Sequence, residues 1–290
     1  MMATTPPDRT LPRLTQARAV LTRAIEGVNQ FGETVPLAIP AERALTVYVD
    51  KQELVTLMTL GAHPEWLVLG FLRNQRLVAS IDEIESVTVD WQVGAAAVRT
   101  RHGITNLQER TAKRVVTTGC GQGSVFGELM DDVDTIVLPE AVLHQRELYG
   151  IVNTIRLADS TYKAAGSVHG CALFRGEEQL MFVEDVGRHN AIDTIAGWMW
   201  MQGDDVRRGG DKVFYTTGRL TSEMVIKAAQ MGVPIVISRS GTTEMGLEVA
   251  RQLGLCTVGR ATNKNFICYS APHRLLLQPA LAGARLRVVA

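Results

Sequence analysis

The feature that most constrains the fold is an alternation of short apolar runs and helical patterns in the second half of the chain. The strand-like runs occupy residues 212–215, 234–237 and 256–258. The helical patterns occupy residues 191–201, 222–230 and 243–253. Helices that alternate with short, continuous apolar strands act as crossovers and cover a sheet on both faces. The sequence therefore predicts an α/β domain in this region.

The rest of the chain adds strands and helices around this region. A hairpin with a glycine-containing turn is predicted from residues 171–174 and 179–183, and a helix is predicted from residue 138 to about residue 160. The first half reads as α+β. Its predicted elements are strands at residues 44–50, 54–58, 81–89 and 95–99 and a helix that opens at Pro64.

This pattern predicts three segments. Residues 1–16 are polar and rich in proline, and we expect them to be disordered. Residues 17–137 form the smaller α+β domain, and residues 138–290 form the α/β domain. The apolar residues 275–290 have no predicted element.

Composition excludes several classes of function. Thirty basic and thirty acidic residues balance, which argues against a polybasic surface for nucleic acid. No run approaches the roughly 20 apolar residues that a membrane helix needs. The start of the chain does not resemble a secretory signal, and the four cysteines are scattered without metal-ligand spacing. We therefore expect a reduced, cytoplasmic setting and no metal held by protein side chains.

One cysteine lies in an unusual context. Cys120 occurs in TTGCGQGS (residues 117–124), between glycines and after an apolar pair. Glycine permits left-handed backbone conformations and close approach of a partner, so the pattern favours a thiol on a strand-to-loop junction. The alternative is a turn that contains a small buried hydrophobe, which is the commoner role of free cysteine.

Four polar clusters stand beside predicted strands of the second half. They occupy residues 166–170, 184–190, 216–223 and 238–243. In open α/β sheets, ligands bind at the carboxyl ends of the strands, where helix N-termini favour phosphate. Three clusters also carry Arg, which grips phosphate oxygens in pairs. Together they predict a pocket for a large polyanionic ligand.

Each of these residues also has a structural interpretation. Ser222, Thr242 and Thr243 can be helix N-caps, as can Glu184 and Asp185. Arg188 and Arg239 can be ion-pair partners, and His169 and His189 can be hydrogen-bonded structural histidines. The sequence leaves both interpretations open for each residue taken alone.

The clusters also resemble a known family. VEDVGRHNA (residues 183–191), GRLTSEMV (residues 218–225) and SRS (residues 238–240) are similar to segments of the FdhD family. VHGCAL (residues 168–173) is similar as well, and the resemblance extends over about residues 40 to 270.

This resemblance implies a function. Members of the family are sulfurtransferases, or sulfur carriers, needed for formate dehydrogenase activity. They take persulfide sulfur from a cysteine desulfurase and pass it to the molybdenum (or tungsten) bis-guanine-dinucleotide cofactor, which they bind as a substrate. They form homodimers, and their C-terminal domain resembles the three-layer cytidine deaminase fold.

The resemblance also assigns candidate residues. Cys120 matches the persulfide-bearing cysteine. The candidate cofactor-binding residues are His169, Asp185, Arg188, His189, Arg219, Ser222, Arg239, Arg260, Ala261, Thr262, Asn263, Lys264 and Asn265.

The sequence departs from the family pattern at two places. The family usually has C-x-x-C in the loop, whereas the second position here is Gly123, so no disulfide can cycle within the loop. Near the C-terminus, Arg260 stands where an aromatic residue is expected and Thr262 where an arginine is expected. Base stacking at that position is therefore lost, although Arg260 and Lys264 can contact phosphate.

Three other functions compete with sulfur transfer. A zinc nucleoside deaminase needs H-x-E and P-C-x-x-C, and neither string occurs here. A Cys–His hydrolase would use Cys120 as the nucleophile with His169 or His189 as the base, but the sequence shows no evident oxyanion hole. A chaperone that binds the cofactor without moving sulfur is the main alternative, because the second loop cysteine is missing.

Overall fold

The computed structural model describes residues 11–104 and 133–282. Cys120 and the loop at residues 117–124 lie outside the described residues, as does the end of the tail from residue 283. The role predicted for Cys120 therefore stays a prediction.

The first half contains a five-stranded sheet with one long helix packed against it. Its elements are β1 (Arg13–Leu14), β2 (Thr22–Val28), β3 (Thr34–Pro40), β4 (Arg43–Val49), β5 (Gln52–Thr59), α1 (Pro64–Asn74), β6 (Ile84–Asp90) and β7 (Ala95–Thr100). The sheet has the order β1-β6-β7-β4-β5, and β2 and β3 form a separate two-stranded hairpin. The α+β arrangement predicted for this region is confirmed.

The β4–β5 hairpin shows how the sequence directs this sheet. Leu45, Val47 and Val49 alternate along β4 and are fully buried. Asp50 and Lys51 form the two-residue turn with φ values of 47° and 73°. Positive φ at both positions matches the right-handed twist of the flanking strands. This hairpin was predicted from its apolar alternation and is confirmed.

The second half is built on a six-stranded mixed sheet. Its elements are β8 (Leu143–His144), α2 (Gln145–Leu157), α3 (Thr161–Ala165), β9 (His169–Arg175), β10 (Glu178–Asp185), α4 (Arg188–Trp200), α5 (Asp204–Arg207), β11 (Lys212–Thr216), α6 (Ser222–Gln230), β12 (Ile235–Ser238), α7 (Glu244–Gln252), β13 (Cys256–Thr262), β14 (Asn265–Ser270) and β15 (Leu275–Leu276). The order is β10-β9-β11-β12-β13-β14. The neighbours β11, β12 and β13 are parallel, and β9 runs antiparallel to both β10 and β11.

Helices cover this sheet on both faces. On one face α2 packs against the side chains of Ala172, Phe174 and Tyr215. On the other face α4, α6 and α7 pack against Leu173, Phe214 and their neighbours. Successive strand residues point to opposite faces, so the continuous apolar run of each strand supplies both cores. The α/β prediction, with crossover helices on both faces, is confirmed.

The two halves meet where α1 crosses α4. A Cβ atom on Gly70 would lie 1.6 Å from the carbonyl oxygen of Asp193, and one on Gly197 would lie 1.9 Å from that of Trp66. Only glycine allows the two helix backbones to come this close. Trp200, at the end of α4, is buried in the core of the first half. As a result, α4 belongs to both cores and is buried on almost every side.

Some boundaries differ from the predictions. The helix predicted from residue 138 begins at Gln145, because residues 143–144 form β8, which pairs in parallel with β15. Glu147 defines the start of the helix by accepting a hydrogen bond from the His144 backbone N–H at 2.8 Å. Disorder was expected up to residue 16, but Arg13–Leu14 pair in parallel with β6.

Candidate functional site

Four strands begin or end side by side at one edge of the six-stranded sheet. The parallel strands β11 and β12 end there at Thr216 and Ser238, which face each other in register. Because β9 is antiparallel to β11, its first residue, His169, lies at the same edge, paired with Asp185 at the end of β10. This sheet topology places the four polar clusters side by side.

Hydrogen bonds tie the loops of this edge to one another. The Thr217 side-chain oxygen accepts from the Gly170 N–H at 3.0 Å, and the Thr217 N–H donates to the Gly170 carbonyl at 2.9 Å. The Ser238 hydroxyl donates to the Gly218 carbonyl at 2.7 Å and accepts from the Ser240 N–H at 2.9 Å. These bonds hold the loops in fixed positions relative to the sheet.

A cavity of about 630 Å³ opens beside this edge, on the face covered by α2. The sheet edge contributes His169, Gly170, Thr217, Arg239 and Ser240, and the β13–β14 turn contributes Ala261, Thr262 and Asn263. The opposite wall comes from α2 and α3, including Arg156, Tyr162 and Lys163. The volume lies within the range of pockets that hold small molecules and cofactors.

The lining of this pocket is cationic. Arg156, Lys163 and Arg239 are positive, and Glu184 is the carboxylate that lines it. The two oxygens of Glu184 accept hydrogen bonds from the backbone N–H groups of Thr161 at 2.5 Å and Tyr162 at 3.2 Å. Both oxygens of Glu184 therefore have hydrogen-bond partners in α3. The three cations outnumber this one carboxylate, so the pocket offers a net positive charge to an anion.

His169 lines the pocket and is also influenced by the charges of two further arginines. Partial burial, followed by the charges of Arg188 and Arg219, lowers the pKa of His169 below its usual value. The imidazole is therefore neutral at pH 7 and can donate one hydrogen bond and accept another. Arg188 lies close by, and its aliphatic part packs against Gly218, where a Cβ atom would come within 3.0 Å of the Arg188 Cδ.

Asp185 faces the interior. One carboxylate oxygen accepts from the Thr59 hydroxyl at 2.5 Å and the Leu60 N–H at 3.2 Å. The other accepts from the Asn190 side chain at 2.8 Å and the Gly187 N–H at 3.2 Å. Thr59 and Leu60 belong to the first half, so Asp185 joins the two halves and both of its oxygens have partners. Burial raises the pKa of this carboxyl group despite these bonds.

His189 belongs to a buried polar cluster between α4 and α6. Burial, with the charges of Lys227 and Arg188, lowers the pKa of His189 to about 2. Its Nδ1 lies 3.5 Å from a Glu223 oxygen, but a neutral imidazole forms no ion pair there. The Lys227 ammonium lies 2.9 Å from Asp193, with both side chains fully buried. The Asn74 side chain donates to Asp193 at 2.7 Å, which extends the cluster to α1.

The structure thus divides the predicted binding residues into three groups. Residues that line the pocket are His169, Arg239, Ala261, Thr262 and Asn263. Residues in the interior are Asp185, Arg188, His189 and Ser222. Residues that are exposed and do not line the pocket are Arg219, Arg260, Lys264 and Asn265. Arg219 nevertheless acts on His169 through its charge.

Sequence reasoning missed the wall opposite the sheet edge. Arg156 lies on α2, within the helix predicted to run to about residue 160, and Lys163 lies on α3, for which no element was predicted. Neither residue belongs to a motif, so nothing in the local sequence distinguishes them from other surface cations. Ser160 caps α3 by accepting a hydrogen bond from the Lys163 N–H at 3.1 Å. Tyr162 and Lys163 of α3 line the pocket together with Arg156 of α2.

Cys171 lies at the same edge but does not offer a thiolate. Its thiol is fully buried and lies 3.3 Å from the Thr216 side-chain oxygen. Burial raises the pKa of Cys171 to about 12. Because the thiolate is the nucleophile in sulfur exchange, Cys171 is unsuited to that chemistry.

Within residues 11–104 and 133–282, no three His, Cys, Asp or Glu side chains are grouped closely enough to hold a metal ion. No helix in the described part of the chain combines the length and apolar character that a membrane crossing requires.

Comparison with known proteins gives consistent matches. Residues 40–276 match the model of the FdhD/NarQ family. The sulfur carrier protein FdhD of Bacillus subtilis (strain 168) is 34% identical over 242 residues, covering 81% of this chain and 88% of that protein. A protein of the same name from Staphylococcus aureus (strain MRSA252) is 30% identical over 236 residues, with the same coverage.

A solved structure shares the fold. It is a crystal structure of a chain from Desulfotalea psychrophila that was proposed to be a formate dehydrogenase accessory protein. The two structures superpose with a TM-score of 0.74, covering 89% of this chain and 100% of that chain. At 24% sequence identity, the match concerns the fold alone.

Proposed function

The chain belongs to the FdhD/NarQ family, and we propose that it is a sulfurtransferase that carries sulfur for the maturation of formate dehydrogenase. In this proposal Cys120 receives sulfane sulfur as a persulfide from a cysteine desulfurase. The protein then delivers this sulfur to the molybdenum bis-guanine-dinucleotide cofactor, which is its substrate.

The cationic pocket at the sheet edge is the observation that carries this proposal. Arg156, Lys163 and Arg239 surround a cavity of about 630 Å³ whose lining carboxylate is hydrogen-bonded to α3. Arginine and lysine at the ends of strands suit the phosphates of a dinucleotide. Thr217 and Ser240, together with neutral His169, supply the hydrogen-bonding groups that a base or a sugar requires.

The proposed transfer is a sequence of exchange reactions. The Cys120 thiolate attacks the terminal sulfur of the desulfurase persulfide, a new S–S bond forms, and the desulfurase cysteine leaves as a thiolate. Cys120 would then pass the terminal sulfur, at the zero oxidation level, to the bound cofactor as substrate. The cofactor would supply the two electrons that convert this sulfur to sulfide, and Cys120 would leave as the thiolate. One thiol is sufficient for this cycle, so Gly123 in place of a second cysteine does not prevent it.

Three further properties belong to the same proposal. The second half adopts a cytidine deaminase-like arrangement, which its six-stranded sheet with helices on both faces supports. The protein acts as a homodimer, as the family resemblance implies, and it works in the reduced, cytoplasmic setting expected from its scattered cysteines.

The test uses labelled cysteine and a cysteine desulfurase. Trypsin cleaves after Arg114 and Arg146, so Cys120 is the only cysteine of the peptide 115–146. We expect label on this peptide that a thiol reductant removes, and no label on it in Cys120→Ala. The matched control is Cys171→Ala, which should be labelled like the unmodified protein. Full restoration of client formate dehydrogenase activity by Cys120→Ala would show that the carrier role is wrong.

A cofactor chaperone without sulfur transfer is the second candidate. Gly123 at the place of the second loop cysteine favours it. A chaperone would bind a guanine nucleotide in calorimetry and still acquire no label from the desulfurase. Labelling of the 115–146 peptide together with nucleotide binding would exclude this alternative.

A further inference from the structure

We propose that Cys256 and Cys268 form a reversible disulfide that locks the β13–β14 hairpin. Their Sγ atoms lie 4.0 Å apart on the neighbouring antiparallel strands β13 and β14. β14 is the last strand on one side of the six-stranded sheet. Neither residue lines the pocket. The inference does not depend on Cys120 or on the proposed sulfur transfer.

The strand geometry brings these two thiols together. Cys268 pairs with Val258, and the register shifts between Thr257 and Val258, where β14 contains an extra residue. Val258 and Cys256 are two positions apart on β13, so their side chains point to the same face. Cys256 and Cys268 are therefore diagonal neighbours on the α2 side of the sheet. An S–S bond is about 2.0 Å long, so the sulfur atoms must approach by roughly 2 Å for the disulfide to form.

The two thiols differ in a way that suits stepwise oxidation. Cys268 is partly exposed, whereas Cys256 is buried. A hydrogen bond from the Cys256 thiol stabilises the Cys268 thiolate, so the pKa of Cys268 falls and that of Cys256 rises. Cys268 is thus the accessible nucleophile. The main cause of the raised pKa of Cys256 is its hydrogen bond to Cys268, and this cause is removed once Cys268 forms a mixed disulfide, so Cys256 can then act as the resolving thiol.

The oxidation balances with a low-molecular-weight disulfide such as oxidised glutathione. The Cys268 thiolate attacks one sulfur of that disulfide, and one glutathione thiolate leaves. Cys256 gives up its proton and attacks the Cys268 sulfur, which releases the second glutathione thiolate. The two protein thiols are oxidised, one oxidised glutathione is reduced, and the two thiol protons pass to the two glutathione molecules.

The cross-link would act on one wall of the pocket. The β13–β14 turn supplies Thr262 and Asn263 to the lining. The backbone carbonyl of Lys264 in this turn accepts a hydrogen bond from the Tyr149 hydroxyl at 3.0 Å. β14 is the last strand on its side of the sheet. A disulfide at the end of the hairpin opposite the turn would keep β14 from separating from β13 and would restrict the movement of the turn.

The test is peptide mapping of the full-length protein in the Cys120→Ser background. Trypsin cleaves after Arg251, Arg260, Lys264 and Arg274, so the two cysteines fall in the separate peptides 252–260 and 265–274. After incubation of the folded protein with oxidised glutathione, we expect these peptides to be joined in most molecules. Dithiothreitol should separate them, and the oxidised protein should have a higher Tm because the cross-link restricts the unfolded chain.

Two variants define the controls. Cys171→Ala retains the pair and should give the same joined peptides, whereas Cys268→Ser should give none. Glutathione that remains on Cys268 without resolution would overturn the proposal. So would a joined pair that appears only in denaturant, or an absence of reaction at Cys268.

Discussion

At the scale of single residues, the site divides according to what each polar atom contacts. Asp185 has four hydrogen-bond donors around its two oxygens and is buried. Arg239 instead follows β12 at the sheet edge and lines the pocket. The first residue holds the two halves together, and the second offers charge to a ligand. Both belong to polar clusters that follow predicted strands.

We predict that Arg239→Gln weakens the binding of a guanine nucleotide. Loss of a charge-assisted hydrogen bond costs about 1.5–3 kcal/mol, which corresponds to a rise in Kd of roughly tenfold or more. Isothermal titration calorimetry with guanosine diphosphate measures this rise. Arg251→Gln, at the exposed end of α7, is the matched control and should leave Kd unchanged. Equal effects of the two substitutions would contradict a role for Arg239 in the pocket.

His189 makes stability depend on pH. The folded protein lowers the pKa of His189 to about 2, chiefly by burial, whereas the unfolded chain has a pKa of about 6.5. The unfolded state therefore binds the extra proton, so stability is full above about pH 6.5 and is lost as the pH falls toward 2. At pH 5 the loss from this residue is about 2 kcal/mol.

Urea unfolding near pH 7.5 and near pH 5 tests this prediction. His189→Gln should lose about 2 kcal/mol less than the unmodified protein between the two pH values. His102→Gln changes an exposed histidine and should keep the original difference. An unchanged pH dependence in His189→Gln would show that proton binding by His189 in the unfolded chain does not cause the loss of stability.

At the scale of elements, the crossing of α1 and α4 fixes the position of the site. The α4 helix begins at Arg188, directly after the polar residues that end β10. Its contact with α1 therefore sets where Arg188 and His189 stand relative to the sheet edge. Gly70 and Gly197 make this contact possible, since each faces backbone atoms of the other helix.

We predict that Gly70→Ala destabilises the protein by about 3 kcal/mol or more. The new methyl group would lie 1.6 Å from the Asp193 carbonyl oxygen, so the helices must move apart. Gly150→Ala in α2 is the matched control. The atoms nearest its new methyl group belong to the flexible side chain of Glu177, and alanine favours the helix by up to about 1 kcal/mol. Urea unfolding compares the two, and similar destabilisation by both would contradict the close helix contact.

At the scale of the whole molecule, buried polar contacts join the two halves. Asn74 of α1 donates to Asp193 of α4, which pairs with Lys227 of α6. Asp193 and Glu223 keep the pKa of Lys227 raised although burial opposes them, so the ammonium is charged. A buried ion pair specifies an arrangement because each partner is costly without the other.

We predict that Lys227→Met destabilises the protein by about 3–5 kcal/mol, because it leaves the Asp193 carboxylate buried without its cation. Adding Asp193→Asn to this variant should recover part of the loss.

We also expect the two halves to unfold together, so tryptophan fluorescence and far-UV circular dichroism should give coincident urea transitions. A first half that stays folded after the second half has unfolded would contradict this coupling.

The sequence predicted the elements whose signals are local. The apolar run at residues 212–215 indicated a buried strand, and β11 occupies Lys212–Thr216. Residues 222–230 were predicted as a helix and form α6. The β2–β3 hairpin was missed because many of its residues are exposed, so its strands lack a regular apolar alternation. β8 was missed because two residues are too few to show a period.

The candidate site was predictable in part for the same reason. Strand ends and the arginines beside them are visible in the sequence, so His169 and Arg239 were found. Whether a polar residue faces a pocket or the interior depends on partners far along the chain. Thr59, for example, donates a hydrogen bond to Asp185 and lies 126 positions away from it in the chain.

The sequence by itself determined the strands with a clear apolar pattern, the main helices and the clusters at the strand ends, because hydrophobic periodicity and turn residues act between near neighbours. Tertiary structure alone decided that Asp185 and His189 turn inward, that Arg156 and Lys163 complete the pocket, and that Cys256 meets Cys268. These outcomes depend on how sheets and helices pack and on strand register, which join residues that no local pattern relates.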